Sequence, residues 1–338
     1  MILIIKPIKR YAVKNYKQIL SNESLHIEDI ELHCNGIIEK LKETVHNQLK
    51  RKGGVVGISG GIDSSATLAL SVKAFGAENV LGVILPESDS NPDSEKMAKT
   101  LAKKYGVRVV VENITAALNG LGCYTRRDKA IASVISDFNP DLDKTKIVIK
   151  QKIDKNIPPV FSVTVIKPDG QEENKVLPLK SYLQIVAASN FKQRSRMAML
   201  YYYAECNYYA VIGTPNKHEV EQGFFVKYGD GGADVMPIAN LYKTQVFQVA
   251  KHLGVPEEII DRTPTTDTYS AEQTQEEFFF QLPFKTMDLI LYGVENNYTI
   301  KEIAVAAEKS EEDINNILRN LERKRNTTEY LRTSPIYF

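Results

Sequence analysis

Short apolar runs alternate with longer segments of helical period along the first two thirds of the chain. Four runs predict buried β-strands, at residues 54–58, 80–85, 107–111 and 209–213. Apolar residues spaced three and four apart predict helices over residues 31–52, 66–72 and 94–105. Strands that alternate with helices of this length are typical of an α/β protein with a doubly wound parallel sheet.

Residues 119–185 interrupt this alternation. Residues 147–150 and 161–165 have the composition of strands, and Pro168-Asp169-Gly170 is a turn signal. We interpret this region as an insertion that carries a β-hairpin element. Beyond residue 240 the pattern is mostly helical, with a capping box at Thr299 and Glu302. We therefore predict a single domain over residues 1–338, with the insertion at 119–185 and a helical C-terminal extension at 296–338.

The segment between the first predicted strand and its helix combines glycine, hydroxyl and carboxylate side chains. Two adjacent glycines let backbone N–H groups approach an anion, and a helix N-terminus carries about half a positive charge. The carboxyl end of a parallel strand is also where α/β sheets bind ligands. We therefore predict a phosphate-binding loop rather than a plain glycine turn with serine caps. Its residues are Gly57, Ile58, Ser59, Gly60, Gly61, Ile62, Asp63 and Ser64.

A second set of polar residues falls between positions 190 and 243. The strand at 209–213 is followed by Thr214, at the sheet edge where a binding residue belongs. Residues 228–234 are too rich in glycine for a helix or a strand, which predicts a shaped loop. Asn190, Arg194 and Arg196 are expected to open the helix that precedes the strand.

Composition narrows the functional classes. A chain of 338 residues with 43% hydrophobic and 25% charged residues can bury a large core, and its net charge of +1 argues against a general nucleic-acid surface. Cys34, Cys123 and Cys206 are far apart and form no C-x-x-C pair, so we expect no disulfide framework, no zinc site and a cytoplasmic location. The apolar start, residues 1–5, is too short for a signal peptide or a membrane span, and we predict a strand there.

The loop S-G-G-x-D-S resembles that of the N-type ATP pyrophosphatases. Further motifs resemble those of the ammonia-dependent NAD synthetases over residues 53–112 and 190–292. These are N-x-x-A-R-x-R-M near Asn190, G-T-x-x-x-E from Gly213, G-[YF]-F-T-K-Y-G-D-G-x-x-D from Gly223, P-[ST]-A-D from Pro264 and Q-[ST]-D-E from Gln273. The resemblance implies an adenine nucleotide alpha hydrolase-like fold and a homodimer.

The same resemblance assigns residue roles by position. Residues 57–64, Thr214, Lys243 and Thr265 would bind ATP, and Asp63 with Glu219 would bind Mg²⁺. Asp63 and Lys243 are also the catalytic candidates. The residues implied to contact deamido-NAD are Arg194, Lys227, Asp234, Arg323 and Lys324. The last two belong to a basic triplet that resembles the family's H-K-R, and a solvated helix end is the alternative for it.

The reaction implied is amidation of the nicotinate carboxylate of deamido-NAD. The carboxylate would attack the α-phosphorus of ATP to give an acyl adenylate and pyrophosphate, and ammonia would then displace AMP. Free ammonia or a separate amidotransferase would supply the nitrogen. We expect no side-chain nucleophile, and we interpret His218 as a local hydrogen-bonding residue rather than a base.

Five departures from the family pattern leave rivals open. They are Gln193, His218, Val226, Thr268 and Gln275. The first rival is a divergent member that adenylates and amidates another carboxylic acid. A tRNA-modifying transferase of the same superfamily is a second, opposed by the net charge and by the apolar sequence around Cys206. A non-catalytic nucleotide-binding module is the third.

Overall fold

The computed structural model describes residues 19–150, 153, 159–265 and 269–338. The strands in chain order are β1 (Gly54–Gly57), β2 (Val80–Ile84), β3 (Arg108–Val111), β4 (Lys144–Lys150), β5 (Val160–Ile166), β6 (Glu172–Val176) and β7 (Ala210–Ile212). The helices are α1 (Ile30–Glu43), α2 (Ile62–Phe75), α3 (Pro92–Tyr105), α4 (Thr115–Gly120), α5 (Cys123–Ala132), α6 (Leu179–Asn207), α7 (Lys217–Gln222), α8 (Lys243–Leu253), α9 (Glu257–Ile260), α10 (Phe284–Glu295), α11 (Ile300–Ala306), α12 (Glu311–Thr327) and α13 (Glu329–Arg332).

The central sheet is parallel and has the strand order β3-β2-β1-β7. Successive residues of β1 face opposite helix layers, because side chains alternate along a strand. Val56 packs in a core with α1, α2, α3 and α8, whereas Val55 packs in a second core with α4, α5 and α6. Helices cover both faces, so the prediction of a doubly wound sheet is confirmed.

The long helix α6 corrects one sequence expectation. It begins at Leu179, directly after Pro178, so Asn190, Arg194 and Arg196 lie within it rather than at its opening. The residues between Leu179 and Asn190 contain no glycine or proline, and the helix therefore has no local reason to start later. Helix α1 is also followed by a π-helical turn, Thr44–Gln48, which completes the segment predicted as one helix.

The insertion contains more structure than the predicted hairpin. Helices α4 and α5 precede an antiparallel sheet of order β4-β5-β6. The turn at Gly170, which has φ 85°, joins β5 to β6 as the sequence predicts. Strand β6 has the polar sequence Glu-Glu-Asn-Lys-Val and is largely exposed, so it shows no hydrophobic alternation that would have revealed it.

The C-terminal helices form a core of their own with α10 and the first described residues. Met287, Ile303 and Ile317 pack there together with Leu20 and Leu25. The predicted capping box joins Thr299 to Glu302 at the start of α11. No helix in the described ranges combines the length and apolar character needed to cross a membrane. The strand predicted at residues 1–5 lies outside the described residues, and the division into a domain, an insertion and an extension stays a prediction.

Candidate active site

The loop between β1 and α2 presents an open helix N-terminus at the carboxyl edge of the sheet. Gly61 is the N-cap residue of α2 and supplies no side-chain cap. The first amides of an α-helix have no intrahelical acceptor, so the first turn of α2 can donate to an anion. The hydroxyl oxygens of Ser59 and Ser64 lie 3.2 Å apart, and the Ser64 hydroxyl donates to the Gly61 carbonyl at 3.0 Å. The loop is therefore held in shape by its own serines.

The backbone conformation and the packing at position 60 require a glycine. Its φ of 75° is left-handed, and an added Cβ would lie 2.6 Å from the Ser94 carbonyl oxygen. Gly61 differs, since a Cβ there would meet only the Ser59 hydroxyl, at 3.4 Å. The loop consequently packs against α3 on one side and is open on the other.

Two carboxylates and a buried lysine meet beside this loop. The Asp63 carboxylate forms an ion pair with Lys243, whose side chain is 0% exposed, and accepts a hydrogen bond from the Asn216 amide at 3.1 Å. The backbone N–H of Asn216 donates to the Glu219 carboxylate at 2.9 Å. Asn216 therefore links the two carboxylates that the sequence proposes for a metal.

The electrostatics of this cluster are unbalanced. Burial and the negative charge of Asp63 together raise the pKa of Glu219 to about 8, against the opposing charge of Lys243. A carboxylate with a raised pKa gives up its proton more readily once a cation binds next to it. The two carboxylates would therefore favour the binding of a cation between or beside them.

Both carboxylates, Asp63 and Glu219, line a cavity of about 850 Å³. Two of the predicted ATP-binding residues do not line the cavity. Gly60 packs against Ser94 instead, and Lys243 lies behind Asp63, with which it forms an ion pair. The predicted residues that line the cavity are Gly57, Ile58, Ser59, Gly61, Ile62, Asp63, Ser64, Thr214, Glu219, Thr265, Arg323 and Lys324. Residues from the loop, β7, α7 and α12, far apart in sequence, are brought together here.

Arg194, Lys227 and Asp234 do not line this cavity. The Lys227 ammonium donates to the carbonyls of Tyr330 and Thr333, at 2.8 and 2.7 Å, and so anchors the segment after α12. Arg194 is exposed and donates to the Lys227 carbonyl at 3.3 Å. Asp234 accepts from the Val211 N–H at 2.8 Å and the Tyr201 hydroxyl at 3.1 Å. All three brace the loop after α7 from outside, and their contact with deamido-NAD stays a prediction.

Two residues at the site, Asn216 beside the cavity and Asp230 in its lining, received no role from the sequence. Asn216 is fully buried and caps α7 through its side chain, with Glu219 completing a capping box. The pattern Asn-x-x-Glu was a usable signal for that cap. Asp230 lines the cavity, and burial raises its pKa to about 6 even though the Val226 N–H donates to it at 2.7 Å. Its position depends on the folded glycine loop and was not readable from spacing.

The residues that depart from the family's motifs lie in different environments. His218 is fully buried and pairs with Asp288, which confirms its interpretation as a local hydrogen-bonding residue. Gln193, Val226 and Gln275 line the cavity, and Thr268 lies outside the described residues. Cys206, whose neighbours in sequence are largely apolar and aromatic, has an exposed side chain on α6. All three cysteines are unpaired, as predicted.

A second buried lysine lies on the wall of the same cavity. The Lys192 ammonium, 1% exposed, pairs with Glu87 at 3.0 Å and with Asp89 at 2.5 Å. Asp89 also pairs with Arg127, and the Tyr124 hydroxyl donates to Glu87 at 2.6 Å. Burial opposes ionisation of Asp89, but the charges of Lys192 and Arg127 outweigh it and lower the pKa of that carboxyl. This network fixes the loop after β2 to α5 and α6.

The chain is similar in sequence to known proteins over most of its length. The sequence profile of the NAD synthase family matches residues 33–134 and 139–335. The NH(3)-dependent NAD(+) synthetase of Rhizobium meliloti is 44% identical over 94% of this chain and 94% of its own length.

Solved structures extend the agreement to the fold. The NMN synthetase of Francisella tularensis has a TM-score of 0.63 at 22% identity, covering 92% of this chain and 99% of that one. The NH3-dependent NAD synthetase of Campylobacter jejuni has a TM-score of 0.59 at 21% identity, covering 92% and 99%. The fold is therefore that of the NAD synthetases, as the resemblance implied. On the strength of its profile match and its high-coverage relative, this chain belongs to the NAD synthase family.

Proposed function

We propose that this chain is a carbon–nitrogen ligase that converts deamido-NAD and ammonia to NAD, with ATP cleaved to AMP and pyrophosphate. Its relative from Rhizobium meliloti carries the name of that activity. The observation that supports it most is the Asp63–Lys243 pair beside an open helix N-terminus, in a cavity large enough for a small-molecule ligand. This setting favours a reaction in which phosphate charge is bound and neutralised.

The chemistry has two steps. A carboxylate does not condense with ammonia near neutral pH because hydroxide is too poor a leaving group. A nicotinate oxygen therefore attacks the α-phosphorus, and the bond from that phosphorus to the pyrophosphate oxygen breaks. Ammonia then adds to the acyl carbon, loses a proton, and the bond to AMP breaks. Catalysis is positioning and charge stabilisation, so it needs no side-chain nucleophile.

In this proposal, the phosphate-binding loop and the Asp63–Lys243 pair have different roles. The amides of the first turn of α2 and the hydroxyls of Ser59 and Ser64 bind phosphate oxygens. Lys243 neutralises charge that develops on the leaving pyrophosphate, and Asp63 holds its ammonium at the cavity edge. Thr214 and Thr265 line the cavity where they can donate to ATP.

We also propose Mg²⁺ as the cofactor, held by Asp63 and Glu219. One or two carboxylates plus substrate phosphates are the usual ligands of Mg²⁺ in nucleotide sites. The raised pKa of Glu219 beside Asp63 fits this role, because a cation would relieve their repulsion. When bound, Mg²⁺ would lower the charge of the triphosphate and ease departure of pyrophosphate.

The assembly and location are proposals too. A homodimer follows from the resemblance, and Arg194, Lys227 and Asp234 would then face a dinucleotide at or near the interface. Sedimentation of the purified protein measures the oligomeric state, and a monomer at working concentrations would contradict the homodimer. A cytoplasmic location rests on the three unpaired cysteines.

The direct test is to incubate the purified protein with ATP, Mg²⁺, ammonium and deamido-NAD. We expect pyrophosphate and NAD in equal amounts, with no NAD when ATP or ammonium is left out. Pyrophosphate released with another carboxylic acid, and none with deamido-NAD, would contradict the proposal. Titration of the Mg²⁺ concentration with Glu219→Gln tests the metal site, since loss of a ligand should raise the half-activating concentration by roughly tenfold or more.

A further inference from the structure

A buried histidine–carboxylate pair adjoins the residues proposed for metal binding and catalysis. His218 on α7 and Asp288 on α10 are both fully buried, and the Nε2 atom of the His218 ring contacts the Asp288 carboxylate. A carboxylate only accepts hydrogen bonds, so we assign a proton to Nε2, which is then the donor. Neither side chain lines the cavity. Any influence of this pair on a ligand in the cavity must therefore pass through other residues.

The pair connects the two helices that carry proposed site residues. His218 immediately precedes Glu219 on α7. The second oxygen of Asp288 accepts a hydrogen bond from the backbone N–H of Thr244 at 2.8 Å, and Thr244 immediately follows Lys243 in the first turn of α8. Asp288 thus joins the backbone next to Glu219 to the backbone next to Lys243.

Phe284 strengthens the same connection. It lies four residues before Asp288 on α10, so the two side chains share one face of that helix. The Phe284 ring is inclined by 20° to the His218 ring, with the centroids 6.3 Å apart, and the Lys243 ammonium lies 5.2 Å from the centre of the Phe284 ring. A cation at this distance is attracted to the face of an aromatic ring. One face of α10 therefore contacts both His218 and Lys243.

The other side of α7 is attached to Asp63. The backbone N–H groups of His218 and Glu219 both donate to the side-chain oxygen of Asn216, at 3.0 and 3.2 Å, and the Asn216 amide donates to Asp63 at 3.1 Å. Helix α7 has only 6 residues, and a helix this short is not stable by itself. The orientation of Glu219 consequently depends on these contacts and on the pair with Asp288.

The surroundings of the His218 ring argue against a role in stability alone. Tyr242 and Phe280 also pack near the ring, with centroids 5.9 and 6.1 Å from it. Its Nδ1 atom is buried and has no hydrogen-bond partner among the described residues. An unpaired buried polar atom costs free energy, which an apolar side chain in this aromatic environment would avoid. The benefit of the histidine is therefore its directed hydrogen bond to Asp288.

We propose that His218 and Asp288 are positioning residues of the active site. Their hydrogen bond holds Glu219 and Lys243 in the arrangement that binds Mg²⁺ and the phosphates of ATP. The inference rests on the proposed function and adds two residues that contact neither substrate nor metal. His218 is one of the departures from the family pattern, so the motif match does not assign this role. Residues that orient the ligands of a metal typically contribute about tenfold to hundredfold in metal affinity or activity.

Two amide substitutions of His218 test the hydrogen bond. The amide nitrogen of His218→Gln lies as many bonds from the backbone as Nε2 of histidine, so it can still donate to Asp288, whereas the nitrogen of His218→Asn lies one bond closer to the backbone. We expect His218→Asn to lower kcat for NAD formation roughly tenfold to hundredfold, with the KM for deamido-NAD unchanged. His218→Gln should retain most of the rate. Release of pyrophosphate measures both parameters.

Binding without turnover gives a second measurement. The probe is the Mn²⁺ complex of α,β-methylene ATP, which cannot release pyrophosphate, titrated into the protein in a calorimeter. Its Kd should rise roughly tenfold in His218→Asn and stay near the wild-type value in His218→Gln. Leu118→Ala is the control for general destabilisation, because Leu118 is fully buried on α4 and outside the cavity lining. It should lower the temperature of unfolding and leave kcat and Kd unchanged.

Each other outcome overturns the inference. Unchanged kcat and Kd in His218→Asn would mean that Glu219 and Lys243 keep their arrangement without the pair. Equal losses in the two amide variants would assign the effect to the ring rather than to its hydrogen bond, and equal losses in Leu118→Ala would assign it to destabilisation.

Two further cases keep the test decisive. If His218→Asn does not fold, Asp288→Asn takes its place with the same expected losses, since its amide has one oxygen for two donors. If the wild-type protein forms no NAD from deamido-NAD, the proposed function fails. The titration with Mn²⁺ and α,β-methylene ATP still tests whether the pair positions the nucleotide site, which separates the two conclusions.

Discussion

Two buried lysines in this protein have nearly the same exposure and opposite surroundings. Lys192, 1% exposed, has Glu87 and Asp89 as partners, and Arg127 supplies a second positive charge to Asp89. Among the described residues, Lys243, 0% exposed, has Asp63 as its one ion-pair partner. Glu219 stands beside that pair with a pKa raised to about 8, whereas the pKa of Asp89 is lowered.

We interpret the first cluster as a structural network and propose that the second binds a ligand. In the first cluster each of the three carboxylates, Glu87, Asp89 and Asp128, has Lys192 or Arg127 as an ion-pair partner. In the second cluster one lysine is set against two carboxylates, and part of the charge must come from outside. Unbalanced, partly buried charge at a cavity is typical of functional sites, while balanced buried charge is more often structural.

The largest expected effect is the loss of stability in Lys192→Met. Removing one partner of a buried ion pair leaves uncompensated charge, here on Glu87, since Asp89 keeps its pair with Arg127, and costs about 3–5 kcal/mol. Urea unfolding followed by circular dichroism measures it. Lys99→Met is the control, because Lys99 forms an exposed pair with Glu95 that should contribute less than about 1 kcal/mol. Equal losses in the two variants would show that the Lys192 network is not structural.

Next comes catalysis by the unbalanced cluster. Asp63→Ala and Lys243→Ala should each lower turnover by at least about a hundredfold, which corresponds to about 2.7 kcal/mol of barrier. Release of pyrophosphate measures the rate. Lys251→Ala, at the exposed end of the same helix α8, should keep the wild-type rate. Near-normal rates in both cluster variants would contradict the proposed roles.

The two loop glycines give a smaller and more selective effect. Gly60→Ala should lose about 1–3 kcal/mol of stability, since alanine at positive φ is strained and its Cβ would clash with the Ser94 carbonyl. Gly61→Ala should lose less than about 1 kcal/mol, because the N-cap backbone is extended there. Its methyl group would still hinder the approach of phosphate, so ATP affinity should fall. Thermal unfolding and ATP binding distinguish the two, and an equal stability loss would contradict the geometry.

The smallest effect concerns pH. Folding raises the pKa of Glu219 from 4.5 to about 8, so the folded state binds the extra proton and its stability falls as pH rises through that window. Relative to wild type, Glu219→Gln should gain stability between pH 5 and pH 8, by about 1 kcal/mol or more. Asp89 has the opposite sign, because its pKa is lowered from 3.8 and its contribution is lost only as pH falls below that value.

Unfolding measured without Mg²⁺ and ATP, at intervals from about pH 2 to about pH 8.5, checks this pair of signs. Asp89→Asn should be less stable than wild type at neutral pH, with the difference shrinking in acid. If the stability difference between Glu219→Gln and wild type did not change with pH, the pKa of Glu219 would not be raised, and the contrast between the two clusters would be wrong.

The parts of the site that share a local signal were predictable from sequence. The loop from Gly57 to Ser64 was predictable because a strand, two glycines and the start of a helix follow one another directly in the sequence. Glu219 and Lys243 were found by their spacing from recognisable motifs. Strand β6 was missed because an exposed edge strand needs no apolar alternation, and Asp230 because a glycine loop has no period to read.

The sequence by itself determined the doubly wound sheet, the glycine loop between β1 and α2 and the capping box at Thr299. These depend on the periodicity and propensities of neighbouring residues, which act over a few turns or one strand. Only the tertiary structure decided that the insertion and α12 close the same cavity, and that Lys227 holds the chain terminus rather than facing the cavity. Such choices depend on which distant surfaces bury one another, and residue spacing along the chain carries no record of that.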